Sequence, residues 1–310
     1  MKKKTYRLGY ERKTQLELHG MMLPGTLLMI LFNVIPLFGL ILAFKNYKVS
    51  EGIIGIFTSP FYGFQNFKII FGNHDFGRML VNTMGINLIG TFVSMPLTII
   101  FALFINEILN TRFKSLVQTI TYMPHFISWA VFGGIVITLL SADGGFINAL
   151  LLKMGILKEP VSFMAESQYF WVIAIVSNLV KEIGWGTILY TAAIAGVDQE
   201  LYEAADLDGA GRYKKMWYVT LPCIKGTIVI MLIFAVAGIM NNNFDQIYVL
   251  QNSFNLNRSE VIDTYIYKVG LQQLEFGMSS AINIFKSALA LILLFIANKV
   301  STKLTDSGLF

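Results

Sequence analysis

The sequence predicts an all-α polytopic membrane protein built as a bundle of six transmembrane helices. Three observations carry that expectation. Of 310 residues, 55% are hydrophobic and 14% are charged, whereas soluble domains average about 45–50% apolar with Gly included and about 25% charged. Six segments, 24–44, 79–107, 116–140, 169–197, 224–243 and 278–298, are apolar over roughly the 20 residues that a helix needs to cross a bilayer. With the N-terminus inside, 14 of the 24 Lys and Arg fall in cytoplasmic segments and 8 in external loops, a bias that places both termini in the cytoplasm. The net charge of +5 is then a topology signal rather than a sign of nucleic-acid binding. The single cysteine, Cys223, excludes an internal disulfide and a zinc cluster.

Residues 1–23 read as a basic cytoplasmic tail carrying Lys2, Lys3, Lys4, Arg7, Arg12 and Lys13. No small-residue cleavage site follows before Lys45, so the stretch is not a cleaved signal peptide. An amphipathic segment over 10–19 lying on the membrane surface is also open. The first span, 24–44, leads to an external loop, 45–78, with a turn signal at Gly72-Asn73. The core, 79–298, holds the other five spans. Its first span, 79–107, exceeds one crossing and carries Pro96, which predicts a tilt, a kink or an extension into water. The span 116–140 contains Gly133-Gly134, read as a close helix contact. It also holds His125, read as isolated. Asp143-Gly144-Gly145 marks a turn in the loop 141–168. Residues 299–310 form a cytoplasmic C-terminal tail.

Polar groups inside spans must be satisfied by protein or water. Asn178, Lys181, Glu182 and Trp185 recur at i, i+3, i+4 and i+7, on one helical face. An ionised group at the bilayer centre costs at least ~2.5–3.5 kcal/mol, so it faces a cavity or a partner. Trp185 can stack its ring on the apolar face of a ligand, and Asn178 and Glu182 can bond ligand hydroxyls. Equally, Lys181 and Glu182 can merely satisfy charges inside the bundle. Asn242 and Asn243, within Asn241-Asn242-Asn243, are either ligands or a cap at the end of the fifth span. Lys286, in the last span, can bind a carboxylate or pair internally with Glu182.

The cytoplasmic loop 198–222 is the most informative segment. Four acids between Asp198 and Asp206 suit a helix N-terminal region. Tyr202, Ala205 and Leu207 are grouped as one apolar side, and Gly209 and Gly211 end the helix. A second short stretch leads through Thr220-Leu221-Pro222 to the fifth span. A short helix lying across the membrane face can dock into a groove of a soluble partner.

Glu203-Ala204-Ala205, three residues, Gly209, nine residues, then Val219-Thr220-Leu221-Pro222 resembles the EAA loop of binding-protein-dependent ATP-binding-cassette (ABC) importer permeases, with Val219 where Ile is usual. The segments around Lys181–Gly186, Phe244–Leu250, Val261–Gly270 and Phe285-Lys286-Ser287 are similar to the carbohydrate-uptake, maltose-permease-like family, in its oligo- and polysaccharide branch. The resemblance covers roughly 75–310. It implies the type I importer permease fold, with Tyr202, Glu203, Ala204, Ala205, Asp208, Gly209, Leu221 and Pro222 meeting an ATPase subunit. Counting back from Tyr202, the family's sugar-contacting positions fall on Asn178, Lys181, Glu182 and Trp185, with only Asn178 keeping its residue, and Asn243 falls on another.

No G-x-x-x-x-G-K-[ST] phosphate loop occurs in the chain. The resemblance therefore implies no cofactor and no metal on this chain, with ATP and Mg on partner ATPase subunits. It implies further partners: a second permease in a heterodimer, two ATPases, and an external solute-binding protein that delivers an oligosaccharide, uronate-containing or neutral. An ABC permease for another solute class, and an ion-coupled secondary transporter, are the alternatives. The latter would more often show repeated halves and broken spans. No catalytic constellation argues for an enzyme.

Overall fold

The computed structural model describes the backbone of residues 2–305 and the side chains of residues 14–303. The basic side chains of the predicted N-terminal tail and residues 306–310 of the C-terminal one lie outside the described residues. The fold is helical: among the described residues the only β pairing is one antiparallel bridge between Lys45 and Phe61. The chain divides into two compact units, residues up to 70 with 269–284, and residues 71–268 with those from 285 onward.

In the first unit, α1 (Lys2–Met29) continues through a π-helical turn, Ile30–Val34, into a 3-10 helix, Ile35–Phe44. Residues 14–44 together are long and apolar enough to cross a membrane. The helix thus begins well before residue 24. Pro36 sits where the π-helical turn passes into the 3-10 segment, and its missing N–H takes one bond out of the ladder there. The following loop folds back through α2 (Gly52–Thr58) and α3 (Gln65–Gly72). Asn66 holds it, its buried amide donating to the carbonyls of Ala43 at 2.9 Å and Lys45 at 3.2 Å.

The second unit is organised by two long helices. α4 (Phe76–Asn106) has 31 residues with Pro96 inside. It is followed by α5 (Thr111–Tyr122), α6 (Trp129–Leu139), α7 (Phe146–Lys153) and the long α8 (Phe170–Ala195). Lipid is as apolar as leucine, so close packing rather than exclusion from water holds such helices together. Small residues supply it. A Cβ on Gly85 of α4 would lie 2.3 Å from the Trp171 ring, and one on Gly186 of α8 would lie 3.0 Å from Thr98. Gly133 of α6 meets Val249 in the same way, whereas Gly134 faces open space, so only one of the two contact glycines is used. One buried cluster joins Ile86, Phe170, Ile173 and Ala174 to Ile247 and Leu250. Another joins Ala102, Leu103, Tyr190 and Ile194 to Met216 and Ile224.

Two predicted spans are not single helices. The segment Thr111–Phe126 meets Trp129–Leu139 at 99°. Pro124 removes a donor from the helical ladder, Ile127 and Ser128 are extended, and Ser128 restarts a helix by accepting from the Val131 N–H at 3.4 Å. Beyond α9 (Gln199–Leu207), α10 (Arg212–Lys215) and α11 (Leu221–Cys223), the segment Arg212–Cys223 meets α12 (Lys225–Ala237) at 64°. α12 stops at Gly238, short of the predicted end at 243. The chain then continues through α13 (Phe244–Leu250), α14 (Leu256–Ser259), α15 (Ile262–Tyr267) and α16 (Phe276–Thr305). Among the described residues four helices can span a membrane unbroken, and six spans result when each bent pair counts as one.

Candidate functional site

Two features of the second unit stand out: the surface helix α9 and a cavity lined by amides. Asp198 begins α9 by accepting from the Glu200 N–H at 3.0 Å, satisfying a donor that the helix leaves free. Gly209 ends it at φ +71. Its N–H bonds the Asp206 carbonyl at 3.0 Å, and the Ala210 N–H bonds that of Ala205 at 2.9 Å. This is the Schellman arrangement, which favours glycine because an L side chain is strained at positive φ.

The inner face of α9 is tied down. The Tyr202 hydroxyl shares a 2.9 Å hydrogen bond with Thr220, and Lys215 donates to Asp206 at 2.8 Å. Tyr202 also packs against the cluster around Tyr190 and Met216. The outer face carries Glu203, Ala204 and Asp208, all exposed. Glu203 has no ion pair among the described residues. Ala205 is half-buried, as is Leu221, while Pro222 is exposed in the first turn of α11. Leu207 is 91% exposed, which corrects its grouping with Tyr202. Five residues along a helix turn the side chain about 140° away.

The cavity, about 220 Å³, lies between α4, α8 and the non-helical segment before α13. Its polar lining is Asn87, Thr91 and Ser94 from α4, Asn178 from α8, and Asn241, Asn242, Asn243 and Gln246. Asn243 also caps α13, accepting from the Gln246 N–H at 3.2 Å, so the cap and the lining positions coincide. Gln246 is fixed by donating to the Ala174 carbonyl at 2.6 Å and to Ser177 at 3.1 Å. Asn178 has no hydrogen bond among the described residues. The Oδ1 atom of Asn242 is buried without a partner. Such an orphan costs about 1–3 kcal/mol, which a bound hydroxyl or water would relieve. Asn87, Thr91, Ser94 and Gln246 were not singled out in the sequence. The i, i+4, i+7 spacing of the first three inside an apolar helix is the signal that marks them.

Lys181, Glu182 and Trp185 gather in a separate cluster on α8 rather than at the cavity with Asn178. His125, read from the sequence as isolated, is its centre. Its Nδ1 lies 2.6 Å from Glu182 Oε2, its carbonyl accepts from Lys181 at 2.6 Å, and its ring stacks on Trp185 with centroids 4.2 Å apart and planes at 1°. Lys181 also reaches Glu182 at 3.2 Å and lies 5.5 Å from the Trp129 ring centroid. The break after Pro124 makes this possible, because it frees the His125 carbonyl from the helical ladder and turns it towards α8. One face of Trp185 is therefore covered, and the residue remains 42% exposed.

The pairing of Lys286 with Glu182, one of the two readings open for that lysine, does not form. Glu182 is bonded to His125 and Lys181, and Lys286 pairs with Asp263 of α15. The other Asp263 oxygen accepts from the Asn242 N–H at 3.0 Å. The Lys286–Asp263 pair thus braces the segment that forms one wall of the cavity. The sequence suggested no role for Asp263, because α15 lies in the predicted external loop, with no periodic pattern to place it.

Comparison with known proteins gives this geometry a context. A family model described as binding-protein-dependent transport system inner membrane component matches residues 94–306. The polygalacturonan/rhamnogalacturonan transport system permease protein YteP of Bacillus subtilis (strain 168) is 38% identical over 309 residues, covering 100% of this chain and 95% of its own. A crystal structure of a bacterial ABC transporter involved in the import of the acidic polysaccharide alginate includes a chain that is 34% identical, with a TM-score of 0.86, covering 96% of this chain and 99% of that one. The structure of a bacterial alginate ABC transporter in complex with an alginate pentasaccharide-bound periplasmic protein matches equally, at 34% identity and TM-score 0.86, over 98% and 100% of the two chains.

Proposed function

The chain belongs to the family of binding-protein-dependent transport system inner membrane components, and from that premise we propose that it is the multi-pass permease subunit of an ABC importer for an oligosaccharide. The observation that carries the reading is α9. A short helix is bonded to the bundle through Tyr202 and Asp206, yet presents Glu203, Ala204 and Asp208 unpartnered on its outer face. Such a rigid, exposed element transmits force from a soluble partner to the spans.

In this reading both termini are cytoplasmic, and α9 seats in a cleft of an ATPase subunit. Two such subunits bind ATP and Mg and hydrolyse the nucleotide, a second permease completes the passage, and an external binding protein delivers the sugar. Closure of the ATPases on ATP moves α9, and α9 moves α8 and α12 through Thr220 and the cluster around Tyr190 and Ile224. The permease itself is a two-state element whose equilibrium its partners bias. Sugar passes the amides of Asn178, Asn242 and Asn243, and Trp185 offers its exposed face. The cluster of His125, Lys181 and Glu182 orients that indole.

The test is a reconstituted complex in lipid with its binding protein. Addition of saccharide-loaded binding protein is expected to raise ATP hydrolysis severalfold over the unloaded protein. Hydrolysis indifferent to every oligosaccharide tried would refute the sugar reading.

A further inference from the structure

We infer that neither lysine within the spans, Lys181 or Lys286, serves as a receptor for a uronate carboxylate, so that the amide cavity meets an acidic saccharide through its hydroxyls alone. This rests on the reading of the cavity as part of the sugar path. Its consequence is that this subunit does not distinguish an acidic saccharide from its neutral counterpart.

Charge pairing is the first ground. Lys181 is 3% exposed and is committed to the His125 carbonyl and to Glu182. Lys286 is committed to Asp263. Drawing Lys286 towards a substrate would leave Asp263 without its cation in a largely buried setting, and drawing Lys181 away would leave Glu182 with His125 alone. No side chain lining the cavity is charged.

The second ground is the kind of vacancy the cavity offers. Asn242 donates its amide weakly to the Thr83 carbonyl at 3.5 Å, which leaves its Oδ1 as the buried orphan. An acceptor needs a donor. A hydroxyl supplies one, whereas an ionised carboxylate has only acceptors. Asn178, without a partner of its own, both donates and accepts, as a hydroxyl does. The Asp263 brace keeps this wall in place, which gives the Lys286 pair a structural task that does not involve ligand.

The experiment is uptake into proteoliposomes holding the complete complex, with one binding protein throughout. The probes are a galacturonate trimer and the same trimer after carboxyl reduction. The double variant Lys286→Met with Asp263→Asn removes both charges but keeps an acceptor for the Asn242 N–H. Lys286→Asp with Asp263→Lys keeps both charges while moving the cation. For either double variant, the ratio of the two KM values is expected to stay within about twofold of the parent, and Asn178→Ala is expected to raise both KM values by a common factor. A rise of about tenfold in KM for the acidic trimer alone, in either double variant, would overturn the inference. If Asn178→Ala moves neither KM, the cavity is off the sugar path, and the site reading falls together with the inference.

Discussion

Replacing Glu203 by Lys is expected to abolish uptake while leaving the permease folded. Glu203 is exposed and its side chain makes no hydrogen bond or ion pair among the described residues, so the fold loses no polar partner when it is replaced. If, as proposed, Glu203 faces a basic group of the ATPase, charge reversal places like charges together there, and such a contact costs several kcal/mol. Uptake should fall at least about tenfold, which corresponds to 1.4 kcal/mol, with the melting temperature of the purified permease unchanged. Gly209→Val separates the two causes. At φ +71 a branched side chain is strained by about 1–2 kcal/mol, and the Cβ itself meets open space. Its effect is therefore to shift the end of α9 rather than to create a clash. Thermal melts and saccharide-stimulated ATP hydrolysis, measured on the same preparations, check both. Full activity of Glu203→Lys would contradict the docking role.

The second large effect is expected at Gly184. A Cβ there would stand 2.1 Å from the Thr121 carbonyl oxygen and 2.4 Å from its carbon. Backbone cannot rotate aside as a long side chain can. Gly184→Leu therefore forces α5 from α8, at a cost at or above the ~1–3 kcal/mol usual for overpacking. It also pulls His125 from Glu182 and Lys181, adding unpaired buried charge. The folded yield should collapse. Gly134→Ala, facing open space, should express and melt as the parent does. Equal yields for the two variants, compared by size-exclusion chromatography in detergent, would show that α5 and α8 are not packed through this contact.

Much of the architecture is legible in residue type alone. The second and fourth spans, 79–107 and 169–197, stand close to α4 and α8 because each is a continuous apolar run, whereas α16 continues to Thr305, past the expected end at 298. The ends of α9 are equally legible, since Asp198 and Gly209 carry their own local chemistry. The broken spans are less so. Pro124 and Pro222 each have a local signature, but whether a proline kinks a helix or ends it depends on who receives the freed carbonyls. For Pro124 the recipient includes Lys181, 57 residues after it in the chain.

Pair identities are the least legible. Periodicity puts Lys181 and Glu182 in one span and Lys286 in another, which makes their pairing plausible across a bundle. The partners that win, His125 and Asp263, come from a helix break and from a loop between spans, where no period constrains the side chains. The cavity shows the same division. Asn178 and the Asn241–Asn243 run were visible as polar groups in apolar surroundings. Asn87, Thr91 and Ser94 lie in a helix whose apolar content hides a narrow polar stripe.

The central claim is that α9 seats against an ATPase, and site-directed cross-linking tests it most directly. The exposed native thiol is first removed as Cys223→Ser. A cysteine is then placed at Leu207, 91% exposed at the end of α9, or at Phe254, 77% exposed in the predicted external loop. Membranes holding the assembled complex are treated with a short thiol-to-amine cross-linker and separated by mass. The account predicts a permease–ATPase adduct from Leu207→Cys and none from Phe254→Cys. An ATPase adduct from Phe254→Cys alone, or from neither position in a complex that still hydrolyses ATP, would contradict it.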